Sequence, residues 1–462
     1  MLVIILGIAV AVLDGSIVNL ALPAIARELG ASAPQAIWVV NAYQIATLGM
    51  LLPLAALGER IGYRRVYLLG MLLFAVSSIG AMLASSLATL VAARAVQGLG
   101  AAGIMSVNAA LVRLTYPRAQ LGQGLAINSL VVAASSVAGP SVAAAILSVL
   151  SWPMLFAINL PLGLATLWLG RRALPFNPPA PARTGHGGGG ARLSPLDVLL
   201  NMLMFALVFV GGDQLGVREE GGVTPLAGAL VLLAGVAVGV VYLRRQVRLE
   251  RRHATPLFPV DLMRIPVFAL SMGASVAAFC AQMLAFLSLP FLLLEAHGRS
   301  HVEAGLLITP WPLAIVLVAP LAGRLIGRVS DGVLGGVGMA VLAAGLLALA
   351  MLPADPGALG VAWRMALCGA GFALFQSPNN HTIVTSAPIH RAGAAGGMLS
   401  TARLTGQTLG AVLLAVIFAL WGTRGGQAET VALWIAAGCA VLAGVCSMLR
   451  MRQAPPSGQA GH

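Results

Sequence analysis

One carboxylate, Asp14, stands in the middle of the apolar run 2–23, inside the stretch Leu13-Asp14-Gly15-Ser16-Ile17-Val18-Asn19. The run is long enough to cross a bilayer, where an ionised acid costs a few kcal/mol or more and marks a functional position by default. Of the 14 acidic residues, the others lie in loops or near the ends of apolar runs. At about 1.5 Å per residue, Asp14 lies roughly 14 Å from the outer end of its run. Arg94 lies roughly 9 Å from the outer start of the fourth run, so the two can share one depth. A guanidinium beside a carboxylate favours its charged form, whereas desolvation favours the neutral one. Separating the pair, or admitting water, would switch Asp14 between the two, which is what exchanging a proton for another solute requires. The same pair also fits a permanent structural ion pair.

Two more arginines are deep: Arg364, about 9 Å into the twelfth run, and Arg403, about 15 Å into the thirteenth. Three deep arginines against one acid would make a cavity net positive. Arg364 and Arg403 are therefore expected to bond backbone carbonyls or to lie buried between helices. Asp213, near the outer end of the seventh run, reads as a hydrated helix-end residue. Side chains suited to lining a central cavity are Asn19, Trp38, Asn41, Tyr43, Gln44, Asn128, Gln282, Trp311, Gln376 and Asn379, with Arg403 as a further candidate. Aromatic faces among them attract organic cations. The chain offers no nucleophile–base set, no histidine or cysteine spacing suited to a metal, and no phosphate-cradling Gly-x-x-x-x-Gly-Lys loop. Enzyme chemistry, a metal centre, an organic cofactor and ATP hydrolysis are not expected; protons remain as the coupling ion.

These residues must be held by membrane-spanning helices. The 462 residues are 59% hydrophobic and 9% charged, with a mean hydropathy of +0.94, against roughly 25% charged in a soluble domain. Fourteen apolar runs of membrane length emerge, near 2–23, 35–57, 64–84, 88–113, 122–149, 153–171, 196–214, 224–243, 266–294, 303–326, 332–352, 358–378, 393–421 and 430–449. No basic segment precedes the first, which does not read as a signal peptide; its abrupt start leaves room for a start codon upstream. All 27 basic residues are arginine. With both termini cytoplasmic, twenty of them fall on the inner side and four on the outer, a strong positive-inside bias. Topology thus accounts for the net charge of +13, and no nucleic-acid partner is expected. The four cysteines lie within apolar runs and read as small packing residues.

The order divides the chain into a six-helix bundle (1–171), a cytoplasmic linker (172–195), two additional helices (196–243), a basic cytoplasmic linker (244–265), a second six-helix bundle (266–450) and a tail (451–462). The first linker, with Pro178-Pro179-Ala180-Pro181 and four consecutive glycines, cannot bury enough surface to fold, and the tail reads as disordered. The arginine-rich second linker is suited to anionic headgroups at the cytoplasmic face. A weak repeat relates the halves. Ala93-Arg94-Ala95-Val96-Gln97-Gly98-Leu99-Gly100, followed by Asn108, parallels Trp363-Arg364-Met365-Ala366-Leu367-Cys368-Gly369-Ala370-Gly371, followed by Asn379.

Four segments then stand in order. They are Leu13 to Pro23; Gly58-Glu59-Arg60-Ile61-Gly62-Tyr63-Arg64-Arg65; Arg94-x-x-Gln97-Gly98-x-Gly100; and Ala138-Gly139-Pro140. Pro140 removes a backbone donor and lets its helix kink, Gly139 admits a neighbouring helix, Gly62 permits a tight turn, and Glu59 can pair with nearby arginines or an adjoining helix end. Together the segments resemble the fourteen-helix drug–proton antiporter family of the major facilitator superfamily. The stretches Gln376 to Asn380 and Thr401 to Gln407 are most similar to exporters of methyl viologen and quaternary ammonium biocides. There are departures: Glu59 replaces an aspartate, Gly327 replaces the acid of the second-half loop, and Ala143 and Ala144 replace two glycines. The resemblance implies an all-α polytopic protein of two six-helix bundles plus two helices, in a bacterial inner membrane. It implies a monomer that exports lipophilic, cationic compounds (quaternary ammonium, dyes, biocides) by alternating access against protons. An exporter of an anionic or zwitterionic metabolite is the alternative that Arg364 and Arg403 favour; a non-transporting membrane receptor is a third reading.

Overall fold

The computed structural model describes residues 1–31, 33–117, 120–176, 194–216, 225–251, 256–293, 297–299, 301–353, 356–421 and 426–452. Among them the regular elements are helical. The first half holds α1 (Leu2–Glu28), α2 (Ala33–Ile61), α3 (Tyr63–Met82), α4 (Leu87–Thr115), α5 (Leu121–Leu147), the short α6 (Met154–Ala157) and α7 (Asn159–Ala173). A hairpin of α8 (Pro195–Gly216) and α9 (Pro225–Arg251) follows, then α10 (Val260–Met263). The second half holds α11 (Pro266–Phe291), α12 (His301–Ile308), α13 (Pro310–Leu325), α14 (Asp331–Ala350), α15 (Ala358–Ser386), α16 (Ala392–Trp421) and α17 (Gln427–Leu449). Twelve spans among the described residues are long and apolar enough to cross a membrane. In addition α1 and α5 carry shorter described apolar stretches, Leu2–Val18 and Leu121–Val132.

The helices sort their faces as membrane helices do. On α3, Leu69, Leu72, Val76 and Ile79 point outward while Ser77 and Ser78 are buried. On α9, Leu230, Leu233 and Val236 are likewise exposed. In lipid an exposed apolar side chain costs nothing, and polar groups must instead find partners inside the bundle.

The internal repeat becomes a matching set of neighbours. In the first half α4 packs on α2 and α3, α3 on α7, and α1 on α5; in the second, α15 packs on α13 and α14, α14 on α17, and α11 on α16. The α8–α9 hairpin has no counterpart. Its α8 leans on both halves, against α2 and α16, and is pinned by the Asn201 amide donating to the Gly49 carbonyl at 2.7 Å.

Two boundaries differ from the hydropathy reading. The segment assigned to the basic linker begins as helix, because α9 runs to Arg251. Arg245 there donates to Asp197 on α8 at 2.6 Å, and the Gln246 side-chain oxygen accepts from the Leu257 and Phe258 amides. Paired and capped, these polar residues continue the helix beyond its apolar portion. The run 303–326 is broken at Thr309, where Pro310 opens α13. Residues 177–193 of the first linker and 453–462 of the tail lie outside the described residues.

Candidate functional site

Asp14 is 1% exposed and sits where α1, α3, α4 and α7 meet. Three donors converge on its carboxylate. Arg94 Nη1 donates to Oδ2 at 2.5 Å, while Gln97 Nε2 and Asn159 Nδ2 donate to Oδ1 at 3.0 and 2.7 Å. Arg94 and Gln97 are three residues apart on α4 and therefore share a face. Arg94 Nη1 also donates to Gln97 Oε1 at 2.7 Å, which orients the amide so that its nitrogen points to Asp14. Ser78 Oγ on α3 accepts from Gln97 Nε2 and Asn159 Nδ2 and donates to the Phe74 carbonyl at 2.8 Å. Asn159 opens α7 just after the break from α6, which brings its amide to this depth.

Arg94 is fully buried. Its Nε donates to the Val39 carbonyl at 3.1 Å, and its guanidinium carbon lies 4.3 Å from the centre of the Tyr43 ring and 5.6 Å from that of Phe156. Tyr43 is held in turn by its hydroxyl donating to the Ala11 carbonyl at 3.0 Å. Both charges are thus removed from water and every donor facing Asp14 suits its ionised form. Removing one partner of such a pair typically costs about 3–5 kcal/mol, because the other is left buried and uncompensated. The arrangement is a buried ion pair that ties α1 to α4 and is completed by amide donors from α4 and α7.

A second polar site is a small, partly open cavity between α1, α4, α5, α15 and α16. Asn128, Gln376 and Arg403 line it as the sequence suggested; Asn108, Ser129, Asn380 and Ser400 join them. The remaining candidates lie elsewhere. Trp311 is fully buried in the second-half core, its ring 4.9 Å from that of Phe286. Asn379 is tied down structurally: it donates to Ser275 Oγ at 2.7 Å and to the Ser271 carbonyl, and it accepts from Arg450. Tyr43 serves the Asp14 site. Trp38 is 39% exposed, Asn41 is buried, and Gln44 and Gln282 are half-buried, none of them lining this cavity. The side chains of Asn19, Pro140 and Asp213 lie outside the described residues.

The deep arginines part company. Arg364 donates to the Gly360 carbonyl of its own helix at 2.5 Å and lies 4.7 Å over the Trp363 ring, the backbone-bonded arrangement expected for it. Arg403, by contrast, faces the cavity.

Glu59 bonds across the halves. It accepts from Arg391 Nη1 at 2.9 Å and from the Ala394 amide at 2.8 Å, at the first turn of α16. Asp261 grips the other edge of the same guanidinium at 2.8 and 3.0 Å. Burial alone pushes the Arg391 guanidinium down, but the Glu59 and Asp261 carboxylates more than reverse this, and it ends above its ordinary value. Arg113 Nη1 adds bonds to the Val384 and Ala387 carbonyls at 2.6 and 2.9 Å. These contacts fasten the halves together at the side carrying the α2–α3 loop. Within the first half, Arg64 bonds the Leu174 and Arg171 carbonyls at the end of α7, and Arg60 is exposed. Gly62 opens α3 with φ 104°, a conformation L side chains rarely adopt. At Gly139, a Cβ would strike Ser16 on α1, so this glycine sets how closely α1 and α5 approach.

Gln97 stood in the sequence only as part of the fourth-run motif, with no role at Asp14, and Ser78 and Asn159 were not singled out. The spacing of Gln97 from Arg94 carried a usable signal; the other two depend on packing.

The comparisons agree with this architecture. Residues 4–411 match the sequence profile of the Major Facilitator Superfamily. The uncharacterized transporter YebQ of Escherichia coli K12 is 50% identical over 98% of this chain and 95% of its own. The multidrug resistance protein Stp of Mycobacterium tuberculosis (strain CDC 1551 / Oshkosh) is 31% identical over 90% of this chain and 75% of its own. The methyl viologen resistance protein SmvA of Salmonella typhimurium (strain 14028s / SGSC 2262) is 27% identical over 88% and 79%. Among solved structures, the human organic anion transporter MFSD10 aligns over 96% of this chain and 98% of its own, with a TM-score of 0.69 at 16% identity, a likeness of fold. The chain belongs to the Major Facilitator Superfamily and is a multi-pass membrane transporter, not an enzyme.

Proposed function

We propose that this transporter is a proton-coupled efflux antiporter with fourteen membrane-spanning helices, working as a monomer in a bacterial inner membrane with both termini in the cytoplasm. The twelve long apolar spans, with α1 and α5 added, support that count. The observation that carries the coupling is the Asp14 carboxylate, 1% exposed and held by Arg94, Gln97 and Asn159. A proton arriving from outside neutralises Asp14 and leaves Arg94 without its counter-charge. The resulting cost, about 3–5 kcal/mol, weakens the grip of α1 on α4 and drives the halves to rearrange. Loss of the proton on the cytoplasmic side restores the pair. The Glu59–Arg391 and Arg113 contacts are the latch of the cytoplasmic-closed state, and the exposed arginines Arg244, Arg248 and Arg251 on α9 rest against anionic headgroups.

The exported compounds are lipophilic small molecules. Organic cations come first, a reading supported by the name of the methyl viologen resistance protein. The second reading, anionic or zwitterionic compounds, is favoured by the arginine in the cavity wall. The test of coupling is dye efflux from vesicles containing the purified protein. Export should follow an imposed pH gradient in sign and collapse with a protonophore, whereas efflux indifferent to the gradient would refute coupling.

A further inference from the structure

Each of the three deep arginines has to answer for its charge. Arg94 has Asp14, and Arg364 has its own helix carbonyl and a tryptophan face. Arg403 has neither. Among the described residues its guanidinium makes no ion pair, and its hydrogen-bond contact is with the weak acceptor Met105 Sδ at 3.8 Å. It stands about 16 Å into α16 from that helix's first residue, deep in the span. The cavity wall around it carries no acidic side chain.

The polar groups beside it are similarly uncommitted. Asn108 is 3% exposed, lines the cavity, and bonds nothing through either Oδ1 or Nδ2. Asn128 Oδ1 is also without a partner. Asn380 spends its amide nitrogen on Ser129 Oγ at 3.2 Å, across the seam between the halves. Buried polar groups in native proteins are nearly always bonded, and a pocket with a few convergent unpaired groups is the usual form of a ligand site. A fixed cation beside the unpaired Asn108 amide donor selects a ligand bearing an oxygen acceptor and disfavours one whose charge is only positive.

We propose that Arg403, with the unpaired amide nitrogen of Asn108, forms the seat for a carboxylate or enolate oxygen of the transported compound, while Asn128 Oδ1 accepts from a donor on the same molecule. This assignment takes the second of the two charge readings given above: the ligands of this cavity are lipophilic anions and zwitterions, and a simple organic cation is not held at Arg403. The inference rests on reading the chain as an exporter that uses this cavity, but not on Asp14 carrying the proton. Met105, Ile8 and Val132 supply apolar walls to the same cavity, fitting a ligand with an oxyanion at one end and a greasy body.

The test is equilibrium binding to the purified full-length protein in detergent, at fixed pH and without a gradient. The probes are rhodamine B, a zwitterion with a free carboxylate, and its ethyl ester, which has the same ring system and only the positive charge. The acid should bind at least about tenfold more tightly, the scale of one charge-assisted hydrogen bond. Arg403→Gln should erase that preference, and Arg403→Lys should keep part of it. Asn108→Asp places a resident carboxylate in the cavity; it should weaken acid binding and spare the ester. Equal or tighter binding of the ester, binding of neither dye, or a preference that survives Arg403→Gln would overturn the seat. Such a result leaves gradient-driven export standing, while gradient-independent efflux with the expected dye preference would fault coupling alone.

Discussion

The latch between the halves makes the most quantitative prediction. Glu59→Gln keeps an oxygen that can accept from the Ala394 amide, but it removes the charge facing Arg391 at 2.9 Å. A hydrogen bond between charged groups contributes about 1.5–3 kcal/mol. The Glu59 and Arg391 side chains are 13% and 18% exposed, which puts this one at the lower end, because partly solvated pairs are screened. Asp261 belongs to the same side of the seam as Arg391, so it still orients the guanidinium and cannot replace the lost bond across the halves. Arg391 stays protonated throughout the physiological range, its value lying above the ordinary one, so the loss should not vary with pH through that residue. A bond present only in the closed arrangement shifts the equilibrium by its full amount, and about 1.4 kcal/mol is tenfold. In a chain with Cys280, Cys368, Cys439 and Cys446 replaced, a cysteine introduced at Ala109 on the cavity wall reports this opening. Its labelling by a membrane-impermeant maleimide from the cytoplasmic side should quicken about tenfold in Glu59→Gln. A labelling rate equal to that of the parent, with unchanged thermal unfolding, would refute the latch.

Two further outcomes follow from packing. Gly139→Val should strain or part α1 from α5, because Ser16 occupies the space of the new side chain; a destabilisation of about 1–3 kcal/mol should lower the temperature of unfolding in detergent. Asn159→Ala removes a donor from both Asp14 Oδ1 and Ser78 Oγ, and about 1–3 kcal/mol should be lost, read by the same melt.

The sequence carried the spans and the charges, since an apolar run of membrane length and an acid within it are both local facts. Asp14 and Arg94 were legible for that reason, and their pairing followed from matched depth. Ser78 and Asn159 were not, because the face a polar residue presents depends on which helices flank it. Gln97 could have been read from its three-residue offset from Arg94. Arg403 shows the limit most clearly. The count of deep charges argued for burying it between helices, yet α16 crosses the seam beside α2 and α4 and turns it into a cavity. Glu59 pairs with Arg391, a residue 332 positions away, rather than with the adjacent Arg60, Arg64 or Arg65; that choice exists only once the halves are assembled.

Proton coupling in this mechanism rests on Asp14 as the proton carrier. Asp14→Asn leaves Arg94 buried without a counter-charge, so the double variant Asp14→Asn/Arg94→Gln, which restores neutrality, is measured beside it. In vesicles loaded with dye, both variants should lose efflux driven by an imposed pH gradient, while the double variant should unfold closer to the parent than the single one. Gradient-driven efflux at the parental rate in either variant would contradict the account.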